Sequence, residues 1–167
     1  MKEFIKTLLM AGVPFGVIMG VFYSFSNGVY GGIFGGVLSG LLFGLLLGIF
    51  ALIQKRKFKK TGFEITNGKS IIMDGGANHF KGAEGVGGWL FLTPDELIFK
   101  SHSFNMQNHQ TVIPLKQISK VETALTLGLI PNGLHIITCD GNKERFVVNN
   151  RKVWVKRINE VIYSVQD

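Results

Sequence analysis

The sequence predicts an α+β protein in two parts: an N-terminal transmembrane helical hairpin, then a small β-barrel or bent-sheet domain capped by a C-terminal helix. Three observations predict it. The 48 residues between Lys6 and Lys55 carry no charge. Residues 61–167 break into short β-rich runs separated by turn sequences. From Asn150 onward the apolar spacing becomes helical.

The uncharged stretch is too long and too uniformly apolar for a soluble core helix, which normally shows a polar face. A split near Ser24, Ser26, Asn27 and Gly28 gives spans of about 8–25 and 29–53, each matching the roughly 18 to 25 residues that cross a bilayer core. A turn this short makes them antiparallel neighbours. Glycines recur every fourth position, as Gly12, Gly16 and Gly20 in the first span and as Gly28, Gly32, Gly36, Gly40, Gly44 and Gly48 in the second. Four residues is 400° of helix, so these positions form a groove where two backbones can press together. The second ladder is longer than the first, which leaves surplus groove for a second copy of the chain. Pro14 interrupts the first span, as a bend, as the start of the regular helix, or as a hinge.

Lys2 and Lys6 ahead of an apolar run resemble the opening of a signal peptide. The run outlasts the 7 to 15 residues of a signal core and continues into a second span, so an anchor is expected. Lys2 and Lys6 precede the first span, Lys55, Arg56, Lys57, Lys59 and Lys60 follow the second, and the connecting turn is uncharged. The positive-inside rule then places both termini in the cytoplasm of an integral protein of a plasma membrane or bacterial inner membrane. A single cysteine, Cys139, fits that compartment and excludes an intramolecular disulfide.

The net charge of +7 invites a nucleic-acid reading until it is divided along the chain. Residues 1–60 hold seven Lys or Arg and one Glu, a net +6, whereas residues 61–167 hold eleven against ten acids, a net +1. The basicity is juxtamembrane and suits anionic lipid headgroups, at about 1 kcal/mol per cation. No nucleic acid is expected as partner.

Residues 61–167 suffice for one domain with its own core. Strands are expected at 70–73, 88–92, 96–101, 110–113, 118–125, 134–139 and 144–148, with turns at Asp74-Gly75-Gly76, Thr93-Pro94-Asp95, Pro131-Asn132-Gly133 and Asp140-Gly141-Asn142. After Asn150, an expected N-cap, Trp154, Ile158, Val161, Ile162 and Val165 line one helical face. Such a helix closes the open end of a small bent sheet.

The ordered series Gly88-Trp89-Leu90-Phe91-Leu92-Thr93, Glu96-Leu97-Ile98-Phe99-Lys100-Ser101, then Ile113-Pro114-Leu115 with Ile118, resembles the core signature of the GRAM domain family. Gly133-Leu134-His135-Ile136, Glu144-Arg145-Phe146 and Trp154 fit the same pattern, so the resemblance covers about 63–165. It implies a pleckstrin-homology-like fold of two roughly orthogonal sheets with a C-terminal helix, in membrane-associated proteins that bind lipid or protein. The anchor is not part of that signature.

A headgroup pocket needs converging cations or backbone N–H groups. Lys81, beside the Gly82, Gly85, Gly87 and Gly88 stretch, and Lys100 are candidates, opposed by Glu84 and by the simpler reading of a solvated loop. Lys55, Arg56, Lys57, Lys59 and Lys60 are stronger electrostatic candidates. Leu125, Leu127, Leu129, Ile130 and Pro131 form a membrane or partner contact loop if exposed, though such a loop more commonly caps a barrel interior.

Catalytic readings fail. Gly68-Lys69-Ser70 lacks the P-loop glycine, since position 63 is Phe. His79, His102, His109 and His135 are dispersed without zinc-site spacing, so surface or strand roles are expected. Cys139 on a strand reads as a buried structural thiol. No enzyme, cofactor or metal is expected. Two functions survive: a membrane-anchored recognition module binding lipid headgroups or an unidentified protein, and an oligomeric channel or transporter built on the glycine grooves and regulated by the domain. Few intramembrane polar residues argue for the anchor.

Overall fold

A computed structural model describes residues 2–82, 84–102 and 109–166. The chain divides into two compact units, Met1–Lys59 and Lys60–Asp167. The connection expected between His102 and His109 falls at 103–108, outside the described residues. So do the side chains of Lys2 and Val165.

Helix α1, Lys2–Ile65, is one helical element, long and apolar enough to cross a membrane by length and composition. Only Gly28 leaves helical geometry, at φ 68° and ψ 179°. Two separately bounded spans are therefore not what the secondary structure delimits, and the helix passes position 53 and carries the basic cluster on to Ile65. Pro14 lies inside the helix rather than at its start.

Residues before Gly28 nevertheless meet residues after it in reversed order. A Cβ added at Gly12 would stand 2.6 Å from the Gly40 carbonyl oxygen, one at Gly16 2.8 Å from that of Gly36, and one at Gly20 3.2 Å from that of Gly32. Only glycine permits such an approach. The rest of the longer ladder also has neighbours within the chain: a Cβ at Gly44 would meet the Leu8 carbonyl oxygen at 2.7 Å, and one at Gly48 the Phe4 ring at 2.6 Å. Leu8 and Phe4 fill what the shorter ladder leaves. On one flank Phe15 and Phe43 stack with centroids 4.1 Å apart. The other flank remains an apolar groove of about 510 Å³ with Val13, Val17, Ile33 and Val37 along its walls.

α1 ends where Asn67 and Gly68 turn left-handed, at φ 51° and 78°, and the Gly68 N–H bonds the Phe63 carbonyl at 2.8 Å. Seven strands follow: β1 Met73–Lys81, β2 Glu84–Leu92, β3 Glu96–Ser101, β4 Gln110–Pro114, β5 Ile118–Thr126, β6 Ile130–Thr138 and β7 Lys143–Val148. All pairings are antiparallel, in the order β4-β3-β2-β1-β7-β6-β5. The edge strands β4 and β5 are joined by just one short 3-10 turn, Leu115–Gln117, so the sheet must curl toward itself as a half-barrel. One continuous curled sheet thus stands where two sheets were expected. Helix α2, Arg151–Gln166, closes it with Trp154, Ile158 and Val161 buried among Leu90, Phe99, Leu134 and Phe146.

Two expected turns lie inside strands. Asp74-Gly75-Gly76 belongs to β1, paired with Phe91, Leu90 and Trp89 of β2, and its glycines lie in ordinary contact with tryptophans: a Cβ at Gly75 would be 3.4 Å from the Trp154 ring, and one at Gly76 3.7 Å from that of Trp89. Trp89 Nε1–H donates to Asp74 Oδ2 at 2.8 Å. The strand expected at 70–73 therefore only begins at Met73. Pro131-Asn132-Gly133 belongs to β6, where Gly133 lets the Ala124 carbonyl oxygen approach to 2.8 Å of where a Cβ would sit. The reversal falls at Leu127 and Gly128 instead, with φ 53° and 72° and the Leu129 N–H on the Thr126 carbonyl. Asn150 precedes α2 at φ 55°, its carbonyl accepting from the N–H groups of Val153 and Trp154.

Candidate functional site

Within the domain, the expected headgroup cations Lys81 and Lys100 are not neighbours. Lys55, Arg56, Lys57, Lys59 and Lys60 are exposed along α1. Lys81 ends β1 with the same strand parity as inner-face His79, whereas Lys100 alternates with inner-face Phe99 and so belongs to the outer face. Pairing of Lys81 with Glu84 and of Lys100 with Trp89 sets them five residues apart along β2, about 17 Å.

A different basic surface assembles on the outer face of β5, β6 and β7. Register aligns Glu122, His135 and Arg145 in one row and Lys120, Ile137 and Lys143 in the next. Lys120 Nζ lies 2.7 Å from Glu122 Oε2, while His135 Nδ1 and Lys143 Nζ approach Glu122 Oε1 at 3.8 and 3.9 Å. The hydrogen bond from Lys120 holds the Glu122 carboxyl below its usual range. Burial, and next the Lys143 charge, push His135 below 6.5. Arg145 donates to the Gly82 carbonyl, which brings the β1–β2 turn to the patch. Lys120 and Lys143 beside Glu122, with Arg145 in the neighbouring row, give this face cations of the kind that bind phosphate or carboxylate groups. These residues are far apart in the sequence. The alternations Lys120-x-Glu122 and Lys143-x-Arg145, with His135 on the expected strand between them, were the signal that could have found them.

Inside the barrel, the dispersed histidines are not all surface residues. His79 is 1% exposed, stacked on Phe146 with centroids 4.5 Å apart and edge-on to Phe99 at 5.2 Å. Its Nε2 lies 2.6 Å from Glu144 Oε2 and its Nδ1 3.0 Å from His109 Nε2. A carboxylate acceptor assigns the proton to Nε2, so Nδ1 accepts from His109. Burial, the largest influence, lowers the His79 pKa against the opposing pull of Glu144. Among the described residues no group of three or more His, Cys, Asp or Glu could hold a metal ion.

The expected contact loop does not cap the barrel: Leu127 and Leu129 are each 84% exposed, and Ile130 48%. Tight reversal at Leu127-Gly128 carries these side chains outward. Cys139, expected to be buried, is exposed beyond the end of β6.

No curated protein matches the chain in sequence. Among solved structures, the C-terminal domain of an unknown protein from Leishmania infantum aligns with TM-score 0.54 at 16% identity, over 65% of this chain and 97% of that one. The N-terminal PH domain of human ARAP2 protein aligns with TM-score 0.44 at 16% identity, over 55% of this chain and 79% of that one. The first likeness shows a shared domain fold. The GRAM domain model matches residues 54–151, which include the strand series Gly88–Thr93 and Glu96–Ser101 that carries the resemblance. On that match the chain belongs to the GRAM domain family.

Proposed function

We propose that this chain is a membrane-anchored recognition module rather than an enzyme. In this reading α1 crosses the bilayer twice, doubling back at Gly28, with both termini in the cytoplasm. The domain then binds anionic lipid headgroups or a protein partner at that face. The observation that carries the reading is the exposure of Leu9, Val13, Val17, Ile33, Val37 and Leu46 on α1. Side chains of this size each gain about 1.5 to 3 kcal/mol on leaving water, and a bilayer supplies the apolar surroundings.

Membership of a family of lipid- and protein-binding domains supports recognition as the task. The exposed Lys55–Lys60 cluster and the Lys120, Lys143 and Arg145 patch supply the cations. The approach of the glycine ladders to each other within one chain supports the recognition reading over a channel assembled through those grooves.

Alkaline carbonate extraction of membranes containing the full chain tests the anchor, with retention in the pellet expected. Release into the supernatant would refute it. In sealed right-side-out vesicles, an impermeant maleimide should leave Cys139 unlabelled until detergent is added. Labelling before detergent would overturn the cytoplasmic assignment. Titration of the reconstituted chain with a soluble inositol phosphate tests headgroup recognition. Binding should weaken severalfold in Lys120→Gln, Lys143→Gln, and absence of binding by the unaltered chain would leave protein recognition as the task.

A further inference from the structure

The β5–β6 ribbon ends in an apolar tip that projects past the rest of the sheet. β6 pairs with β7 only from Gly133 onward, whereas its pairing with β5 continues to Ile130. The residues beyond Ala124 and Gly133 are thus a two-stranded extension. Leu125 is 53% exposed there, and with Leu127, Leu129 and Ile130 it forms one clustered aliphatic surface. Soluble domains seldom leave such clusters open.

The backbone at the apex adds an independent observation. Leu127 adopts φ 53°, next to Gly128 at 72°. That geometry is unfavourable for leucine and natural for Asn or Gly, which would turn the ribbon with less strain. A solvent-exposed leucine in this position contributes little to the domain's own packing, so its use lies outside the domain.

Charge identifies the partner. Residues 123–134 carry no charge. At the base of the tip, the Arg151 guanidinium donates to the Ala124 carbonyl, and the exposed Lys152 follows it at the start of α2. From Ala124 to Leu127, three residues of extended chain reach about 10 Å. Interfacial segments bury their apolar side chains about 5 to 10 Å deep while their cations remain among anionic headgroups. We propose that the tip is a membrane-insertion element: Leu125, Leu127, Leu129 and Ile130 enter the apolar boundary of an anionic bilayer, and Arg151 and Lys152 meet its phosphates. The choice of a bilayer as partner rests on the membrane-anchored reading, whereas the surface itself does not.

The test uses the full chain with Cys139→Ser and Leu127→Cys, labelled with an environment-sensitive fluorophore and combined with vesicles of phosphatidylcholine, alone or with phosphatidylserine. Leu129→Cys provides a second reporter in case a label at 127 disturbs the turn, Val112→Cys on edge strand β4 a reference, and Val17→Cys a separate report on α1. With phosphatidylserine present, the tip labels should be quenched severalfold by spin-labelled acyl chains and shielded from iodide, unlike the label at 112. Arg151→Gln should reduce the dependence on phosphatidylserine. Tip labels as open to iodide as the reference would overturn the proposal. So would labels shielded from both quenchers, which would mark a protein contact or a second copy instead. Quenching at 17 without quenching at the tip refutes insertion and leaves the anchor standing; quenching at the tip without quenching at 17 does the reverse.

Discussion

His79 and Glu144, far apart in the chain, meet inside the curled sheet with Nε2 and Oε2 2.6 Å apart. His79 neighbours Phe146 across the β1–β7 pairing, and Glu144 lies two residues from Phe146 on the same inner face. The contact joins a buried ring to a half-buried carboxylate and, through the other ring nitrogen, to His109 at the start of β4. Its stability follows pH in a definite direction.

Below about pH 6.5 an unfolded His79 takes up a proton, whereas burial holds the folded His79 pKa under that value, with Lys81 and His109 acting in the same sense and Glu144 against. The unfolded chain then binds more protons, so stability falls as pH drops through that range and His79 adds no pH dependence above it. Trp89 and Trp154, the two tryptophans, both report on the domain. Their thermal unfolding midpoint should fall between about pH 7.5 and about pH 5.5. His79→Phe should flatten this slope. The same slope in the variant would show that other groups produce it.

Leu127→Asn should relieve the left-handed strain at the β5–β6 reversal and create the Asn-Gly pair that such turns favour. A gain of about 1 kcal/mol is expected from tryptophan-monitored unfolding. A loss of stability would mean that the leucine supports the domain after all.

Gly75 lies against Trp154, with 3.4 Å from a built Cβ to the ring. Gly75→Leu would force a branched side chain into the space between β1 and α2. The expected cost is about 1 to 3 kcal/mol by overpacking, seen as a lower unfolding midpoint. An unchanged midpoint would show that α2 can shift to accommodate it.

Gly36→Leu should separate the two halves of α1, because a Cβ at Gly36 would be 2.7 Å from the Gly16 carbonyl oxygen and 2.8 Å from the Gly20 Cα. Phe15→Cys with Phe43→Cys, replacing the stacked rings in a Cys139→Ser background, offers a disulfide reporter. Oxidative cross-linking of that pair should be strong with Gly36 and lost with leucine. Equal cross-linking would place the contact elsewhere.

Much of the architecture is local and could be read from the chain. The uncharged run, the four-residue glycine period and the strand at Glu96–Ser101 each rest on spacing within one segment. The faces of Trp154, Ile158 and Val161 follow from the 3.6-residue repeat, which a single helix expresses without help from its neighbours. The family series is likewise a linear pattern.

Relations between distant residues were decided by tertiary structure. Gly75 and Gly76 read as a turn because glycine favours turns, yet pairing with Leu90 and Trp89 of β2 holds them within a strand, against the rings of Trp154 and Trp89. The Lys120, His135, Lys143 and Arg145 patch and the Glu144, His79 and His109 chain exist only through cross-strand register. The glycine ladder shows the division most plainly: its period is a property of the sequence, but its partner is not. Any helix with a small-residue groove can accept a second backbone. Only the tertiary contacts show residues of the same helix as that partner, with Phe4 and Leu8 beside Gly48 and Gly44.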